Sequence, residues 1–203
     1  MLITSISQTS PGRLKVSLED GSEIKSTLGA VTELRLYSGL DLSVERLEEF
    51  RLLSLRSLAR ERALELISRR AMSRHELKKK LIDKGEREDI AEYCASWLCE
   101  NRFIDDESYA AAVARHYAAK GYGAGRVQNE LYKRGISREL WDSAIEAMPL
   151  NESKLERFIA SRLTDPTDRD QVRKLSAALF RRGYSWDEIR AALERHQAEI
   201  EDF

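Results

Sequence analysis

The chain has 203 residues, of which 34% are charged and 42% hydrophobic, with only 10 glycines and 3 prolines. This mixture favours helices, packed as one large domain or two small ones, over a β-sandwich or a disordered chain. The formal net charge is -1, so any contact with nucleic acid requires positive charge concentrated on part of the surface.

The sequence shows no targeting or metal-binding pattern. Residues 1–8 lack both a basic start and a continuous apolar run, and no stretch approaches the roughly 20 apolar residues that cross a bilayer. Cys94 and Cys99 lie five positions apart on one predicted helix, which fits neither a CxxC motif nor a metal set, so we expect free buried thiols. We therefore predict a cytoplasmic protein without membrane association.

The first 28 residues differ from the rest because their pattern predicts short β-strands. Apolar side chains alternate at Leu14, Val16 and Leu18, and turn signals flank them at Pro11–Gly12 and Asp20–Gly21. This pattern predicts a β-hairpin or a three-stranded meander. Such a small sheet is marginal alone and must pack on another element.

Two helices are predicted between this segment and the middle of the chain. Residues 32–37 suit either a strand or a helix, and we leave them open. Ser43 is placed as the N-cap of a helix that runs to about Leu53. A second helix should follow through Leu58 to Arg69.

An internal repeat organises the rest of the chain. An apolar residue, three others, leucine, three others and glycine recur at near-constant spacing, and repeats of this kind indicate a tandem array. The three copies are Leu77, Leu81 and Gly85; Val127, Leu131 and Gly135; and Leu175, Leu179 and Gly183. The cations Lys84, Arg134 and Arg182 precede the glycines. Each copy predicts a helix with a buried i, i+4 stripe that ends at a left-handed glycine.

Each copy should be the middle helix of a three-helix module. The predicted N-caps are Ser73, Asp105, Ser137, Asp168 and Ser185, with capping boxes to Glu76 and Glu188. The inward positions expected in the second module are Tyr109, Ala112, Val113 and either His116 or Tyr117.

The sequence therefore predicts a mainly α fold, with three tandem three-helix repeats in an elongated, curved array behind a small β segment. We divide the chain into a β-rich extension (1–42), a linker helix with repeat 1 (43–101), repeat 2 (102–148) and repeat 3 (149–203).

Several possible catalytic or cofactor motifs have better structural explanations. In Gly121-x-Gly123-x-Gly125, Arg126 occupies the third glycine place of a dinucleotide motif, so we interpret the cluster as a helix–helix turn that needs positive φ. Asp105–Asp106 is an N-cap with a first-turn acid rather than a carboxylate pair. The histidines are scattered and complete no site: His75, His116 and His196. We predict no catalytic residue, metal or cofactor.

Charge is segregated along the chain. Residues 60–87 carry ten cations against five acids, a local excess of +5, whereas residues 187–203 carry six acids against two cations, or -4. Solvated helix faces explain such runs, and electrostatic steering onto a polymer of nucleic acid and protein is the functional alternative. Trp97, Trp141 and Trp186 lie at or near the third helix of each module. Module packing is their expected use, with base stacking as the alternative.

At four segments the chain resembles the RecX regulators of the RecA recombinase. These are SRHELKKKL (73–81), RFIDDESYA (102–110), KGYGAGRVQNELYKRG (120–135) and a weaker third copy ending in FRRGY (180–184). The resemblance covers about residues 59–195 and leaves the β segment outside the shared core. It implies tandem three-helix repeats in a non-enzymatic protein that binds RecA filaments on single-stranded DNA and damps strand exchange and ATP turnover during DNA repair and recombination.

We expect a monomer, and direct contact with single- or double-stranded DNA stays open. The candidate contact surface for filament or DNA is basic: Arg70, Arg74, Lys78, Lys79, Lys120, Arg126, Lys133, Arg134, Arg181 and Arg182. The alternative hypothesis is a stand-alone DNA-binding protein, since three-helix units with a basic second helix resemble helix-turn-helix readers.

Overall fold

The computed structural model describes residues 1–149 and 152–196. It divides into two compact units, Met1–Ile104 and Asp105–Phe203. Half of the acids counted in the terminal acidic segment, Glu199, Glu201 and Asp202, lie outside the described residues. The four-part division of the chain and the curvature of the array stay predictions.

The first unit begins with the predicted meander. Strands β1 (Ile3–Ser10), β2 (Arg13–Leu18) and β3 (Glu23–Thr27) form an antiparallel sheet in the order β1-β2-β3. Its inner face packs with Leu47 and Phe50 of the following long helix, so the sheet has the support that its small size demands. The open segment 32–37 is not a strand: helix α1 (Leu28–Glu33) precedes a turn in which Arg35 has φ 50°.

The prediction of two helices before repeat 1 was wrong. Helix α2 (Val44–Arg69) is continuous over 26 residues, because no glycine or proline interrupts it between Leu53 and Leu58. The Oγ atoms of Ser54, near its middle, and Ser26 of β3 lie 2.8 Å apart. The first half of α2 packs on the sheet and the second half belongs to the core of repeat 1, so one helix joins the two.

Repeat 1 is completed by α3 (Arg74–Asp83) and α4 (Glu88–Glu100). The predicted capping box starts α3: the Glu76 amide donates to Ser73 Oγ and the Ser73 amide to the Glu76 carboxylate. Leu77 and Leu81 are fully buried, and Gly85 has φ 92°, which confirms the stripe and the left-handed stop.

Repeat 2 consists of α5 (Asp106–Ala119), α6 (Ala124–Lys133) and α7 (Trp141–Glu146). Two local predictions were wrong. Ala112 is exposed, and Ala110 and Ala114 are buried instead. Of the two alternatives His116 and Tyr117, His116 is exposed and Tyr117 packs against the core of the repeat, as one of them was expected to. Ser137 makes no side-chain cap, because the chain there forms the 3-10 turn Arg138–Leu140 before α7 begins. The N-cap at Asp105 and positive φ at Gly135 (64°) are confirmed.

Repeat 3 consists of α8 (Glu152–Ala160), α9 (Arg169–Arg181) and α10 (Trp186–Arg195). Asp168 caps α9 by accepting from the Gln171 amide, and Ser185 starts α10 in a complete capping box with Glu188. Leu175 and Leu179 are buried and Gly183 has φ 89°, as the repeat predicted.

Candidate interaction surface

In repeat 1, three of the four predicted contact cations form ion pairs on the surface. The pairs are Arg70 with Glu76 (3.2 Å), Arg74 with Glu92, and Lys78 with Glu88 (3.1 Å) and Glu92 (2.9 Å). Hydrogen bonds that Lys78 donates to Glu92 and Glu88 raise its pKa. Each pair has at least one exposed partner, and surface pairs of this kind contribute little to stability, so a partner's anion can replace the carboxylates at small cost. Lys79 is exposed and makes no ion pair among the described residues.

In repeat 2, three predicted contact cations converge on one buried carboxylate, that of Glu130, which is 6% exposed. The donors are Arg134 Nη1 (2.6 Å), Arg126 Nη2 (3.0 Å) and Lys133 Nζ (3.5 Å). Burial raises the pKa of Glu130, but hydrogen bonds from Arg134 and Tyr117 and the charges of Arg134 and Lys133 outweigh it and bring the pKa to about 2.

Arg126 and Arg134 stabilise repeat 2 by pairing with the buried carboxylate of Glu130, and we call this group of residues the Glu130 cluster. Both guanidinium groups also lie 5.9 Å from the ring centroid of Tyr117, on the preceding helix of the repeat. Removing the carboxylate would leave partly buried cations without compensation, which is costly. The side chain of Lys133 is 61% exposed and keeps most of its surface for other contacts.

The glycines of the Gly121–Gly125 turn form a close backbone junction with Gly183, which we call the glycine joint. The Gly123 amide donates to the Arg182 carbonyl at 3.0 Å, and the Gly125 amide donates to the Gly183 carbonyl at 2.9 Å. A Cβ on Gly123 would lie 2.4 Å from the Gly183 oxygen. Repeats 2 and 3 are therefore joined main chain to main chain.

The sequence-based explanation of this turn needs correction. Only Gly121 has positive φ (74°), whereas Gly123 has φ -83° and Gly125 lies inside α6. Gly123 and Gly125 are required for close approach between backbones, not for a left-handed conformation.

Arg182, another predicted contact cation, serves the same joint. Its Nη1 donates to the Gly121 carbonyl at 3.1 Å, and the Tyr184 hydroxyl donates to the same oxygen at 3.2 Å. The guanidinium lies over the rings of Tyr122 (5.2 Å) and Phe158 (4.2 Å). Arg182 thus fastens repeat 3 to the turn of repeat 2.

Three of the ten candidates are exposed and make no ion pair among the described residues: Lys79, Lys120 and Arg181. Lys120 lies near an aromatic ring, with Nζ 5.9 Å from the Tyr117 centroid. The predicted surface did not include two charged residues of repeats 2 and 3, Glu130 and Lys174. The ion pairs of Glu130 could have been predicted from the sequence, because Glu130 stands four residues from both Arg126 and Arg134 on the same helix. Lys174, exposed on α9, carried no distinguishing signal.

The tryptophans divide between the two interpretations. Trp97 packs against the repeat 1 core and stacks on Phe103 at 5.9 Å, and Trp141 donates from Nε1 to the Ile136 carbonyl at 3.1 Å within repeat 2. Both fit module packing. Trp186 is 47% exposed and stacks on exposed Phe180, which packing within the repeat does not require.

The remaining motifs take structural positions. Asp105 accepts from the Ser108 amide at 3.0 Å, as expected of a cap, and burial raises the pKa of the Cys94 thiol to about 11. Across residues 1–149 and 152–196, no three side chains of His, Cys, Asp or Glu are grouped to hold a metal ion. Within the same ranges, no helix combines the length and apolarity needed to span a membrane.

These features define a protein of tandem three-helix repeats. Three RecX family models match in chain order: the first three-helix domain at residues 59–98, the second at 105–145 and the third at 160–193. A protein named Regulatory protein RecX from Xanthomonas axonopodis pv. citri is 36% identical over 135 residues, which are 65% of this chain and 83% of that protein. A second, from Vibrio campbellii, is 30% identical over 66% of this chain and 89% of its own length. The chain belongs to the RecX family of regulatory proteins.

Solved structures extend the likeness in fold. A crystal structure of regulatory protein RecX superposes with a TM-score of 0.75 at 21% identity, over 96% of this chain and 98% of that one. RecX from Lactobacillus salivarius gives a TM-score of 0.62 at 21% identity, over 70% and 97%. The residues outside the first superposition, 4% of this chain, are fewer than those of the three-stranded sheet. The shared fold therefore extends into the sheet region.

Proposed function

We propose that this protein binds RecA filaments on single-stranded DNA and lowers strand exchange and ATP hydrolysis without catalysing a reaction itself. The observation that carries the proposal is the presence of all three RecX repeats, in order. The family name describes a regulatory protein, and the RecA partner comes from the resemblance at segments 73–81, 102–110 and 120–135. We place this activity in the cytoplasm.

Blocking of this kind needs contact rather than chemistry. A protein that bridges neighbouring filament subunits opposes their ATP-linked rearrangement or the addition of new subunits. Each repeat offers weak contacts, and on one chain the later contacts are effectively intramolecular, so they reinforce the first.

The ion-pair geometry narrows the proposed contact residues. Lys79, Lys120 and Arg181 are exposed without carboxylate partners among the described residues, whereas Arg126, Arg134 and Arg182 maintain the Glu130 cluster and the glycine joint. We therefore propose the first three as filament contacts. Arg70, Arg74, Lys78 and Lys133 are secondary candidates because they must exchange existing partners.

The test is DNA-dependent ATP hydrolysis and strand exchange by RecA with substoichiometric amounts of this protein. We expect inhibition by wild type and a weaker effect of the variant K79E/K120E/R181E. The control is K25E, which reverses an exposed cation on strand β3 and should inhibit like wild type. No change in hydrolysis or strand exchange at equimolar wild-type protein would refute the proposal. Electron microscopy of filaments with and without the protein would test the geometry.

A further inference from the structure

Phe180 and Trp186 form an exposed pair of stacked rings in repeat 3. Their centroids are 5.2 Å apart with an interplanar angle of 20°, and the residues are 52% and 47% exposed. Phe180 lies in the last turn of α9 and Trp186 is the first residue of α10. The chain reversal at Gly183 brings the two rings together, next to the glycine joint.

The position of Phe180 is exposed in every repeat, but the second ring is particular to repeat 3. Three residues before the repeat glycine stand Ile82, Tyr132 and Phe180, and all three are exposed, Tyr132 by 68%. The place of Trp186, three residues after the glycine, holds Glu88 in repeat 1 and Arg138 in repeat 2. Helix packing that is common to the repeats therefore does not account for the ring pair.

Helix α9, whose last turn holds Phe180, also carries an excess of positive charge. The helix carries Arg169, Arg173, Lys174 and Arg181 against one acid, Asp170, which pairs with Arg173 at 3.0 Å. Lys174 and Arg181 are exposed and have no ion-pair partner among the described residues. They are seven positions apart, so they share one side of the helix at a separation of about 10 Å along its axis.

We propose that the Phe180–Trp186 ring pair stacks with unpaired nucleic-acid bases while Lys174 and Arg181 contact the phosphates of the same strand. Exposed aromatic faces beside a basic track are the chemistry that binds single strands without sequence preference. Bases inside a duplex are already stacked on both faces, so they have no free face on which the rings could stack. This inference deepens the proposed function and rests on it for its setting on single-stranded DNA, but the binding itself requires no RecA.

Stacking can be separated from phosphate attraction by two strands of equal charge. Fluorescence anisotropy would compare labelled oligothymidylate of 15 nucleotides with an abasic strand of the same length, without RecA. We expect wild type to bind oligothymidylate more tightly, and F180A/W186A to lose about five- to a hundredfold on oligothymidylate with little change on the abasic strand. K174E/R181E should weaken binding to both strands.

Two controls keep the result interpretable. Y132A removes an exposed ring at the same repeat position, on which no second ring stacks within the described part of the chain, and should bind like wild type. F180Y/W186F keeps two rings and should retain the preference for oligothymidylate, even if the alanine variant were to misfold. In a W97F/W141F background, Trp186 fluorescence should be quenched by oligothymidylate and not by the abasic strand.

Equal binding of the two strands by wild type would overturn the proposal, as would equal loss on both with F180A/W186A. A lower sedimentation mass of F180A/W186A would also overturn it, because the rings would then join two copies of the chain. None of these failures affects inhibition of RecA hydrolysis by the wild-type protein, which is measured separately.

Discussion

Gly85 and Gly183 occupy the same position in repeats 1 and 3, yet they are needed for different reasons. Both end the middle helix with positive φ, 92° and 89°. A Cβ on Gly85 would meet nothing within 4 Å, whereas a Cβ on Gly183 would lie 2.1 Å from the backbone nitrogen of Arg126. The repeated glycine is thus a conformational stop in repeat 1, and in repeat 3 it is also part of a joint.

This difference shows how one repeat motif serves two kinds of connection. Repeat 1 is joined to the β-sheet by the continuous helix α2, so its middle helix is not required to approach a neighbour's backbone. Among the residues that the structure describes, repeats 2 and 3 share no such helix, and they are joined where Gly123, Gly125 and Gly183 let two backbones touch.

The largest expected effect tests this difference directly. Gly183→Ala should destabilise the unit Asp105–Phe203 by more than about 3 kcal/mol, because strain at positive φ is joined by overlap with the Arg126 backbone. Gly85→Ala should destabilise Met1–Ile104 by only roughly 1–2 kcal/mol, the strain alone.

Urea unfolding followed by tryptophan fluorescence can report each unit separately. A W97F background leaves Trp141 and Trp186 to report the second unit, and W141F/W186F leaves Trp97 to report the first. Equal losses for the two glycine variants would show that the close contact at Gly183 contributes nothing.

The next effect contrasts two glutamates, of which Glu130 pairs with three cations and Glu92 with two. Glu130 of repeat 2 is buried, whereas the side chain of Glu92 in repeat 1 is 41% exposed. At pH 7 we expect Glu130→Gln to lower the free energy of unfolding by roughly 2–3 kcal/mol, since its pKa of about 2 lies well below that of an unfolded glutamate. Glu92→Gln should cost less than about 1 kcal/mol, as exposed pairs do.

The lowered pKa of Glu130 determines how its contribution to stability changes with pH. Because folding lowers the pKa of Glu130, its stabilisation is complete above pH 4.5 and is lost as the pH falls through the folded value near 2. The difference between wild type and E130Q should therefore shrink between pH 4.5 and 2 in urea unfolding. A difference that stays constant over this range would assign the loss to packing rather than to charge.

The sequence predicted the repeats because their determinants are local. The i, i+4 stripe, the capping boxes at Ser73 and Ser185 and the left-handed glycines depend on residues within one turn or two of each other. The Glu130 cluster also has a local signal, the i, i+4 spacing of Glu130 from two arginines, but the sequence-based prediction did not use it. The same reasoning divided α2 wrongly, since it read two apolar segments as two helices where no residue breaks the first.

The glycine joint was not predictable in this way. Gly123 and Gly183 are 60 positions apart, and nothing near either one states that the other will be its neighbour. Positive φ was the local explanation for the whole turn, and it holds only for Gly121. The candidate surface stays a prediction, and its members differ for the same reason: a count of cations cannot distinguish Arg134, which faces a buried carboxylate, from Arg181, which is exposed.

The smallest expected effect compares the two complete capping boxes. Ser73→Ala should cost about 1 kcal/mol in the first unit, and Ser185→Ala less in the second, in the same urea assay. Ser73 is fully buried, so water cannot replace the lost bond to the Glu76 amide, whereas Ser185 is exposed and water can.

The control is Ser68→Ala, on the exposed side of α2, which removes a hydroxyl outside a cap and should change stability by less than about 0.5 kcal/mol. A larger loss of stability with Ser185→Ala than with Ser73→Ala would contradict the expected order. It would show that the Ser185 cap stabilises the neighbouring glycine joint between repeats 2 and 3 as well as the start of α10.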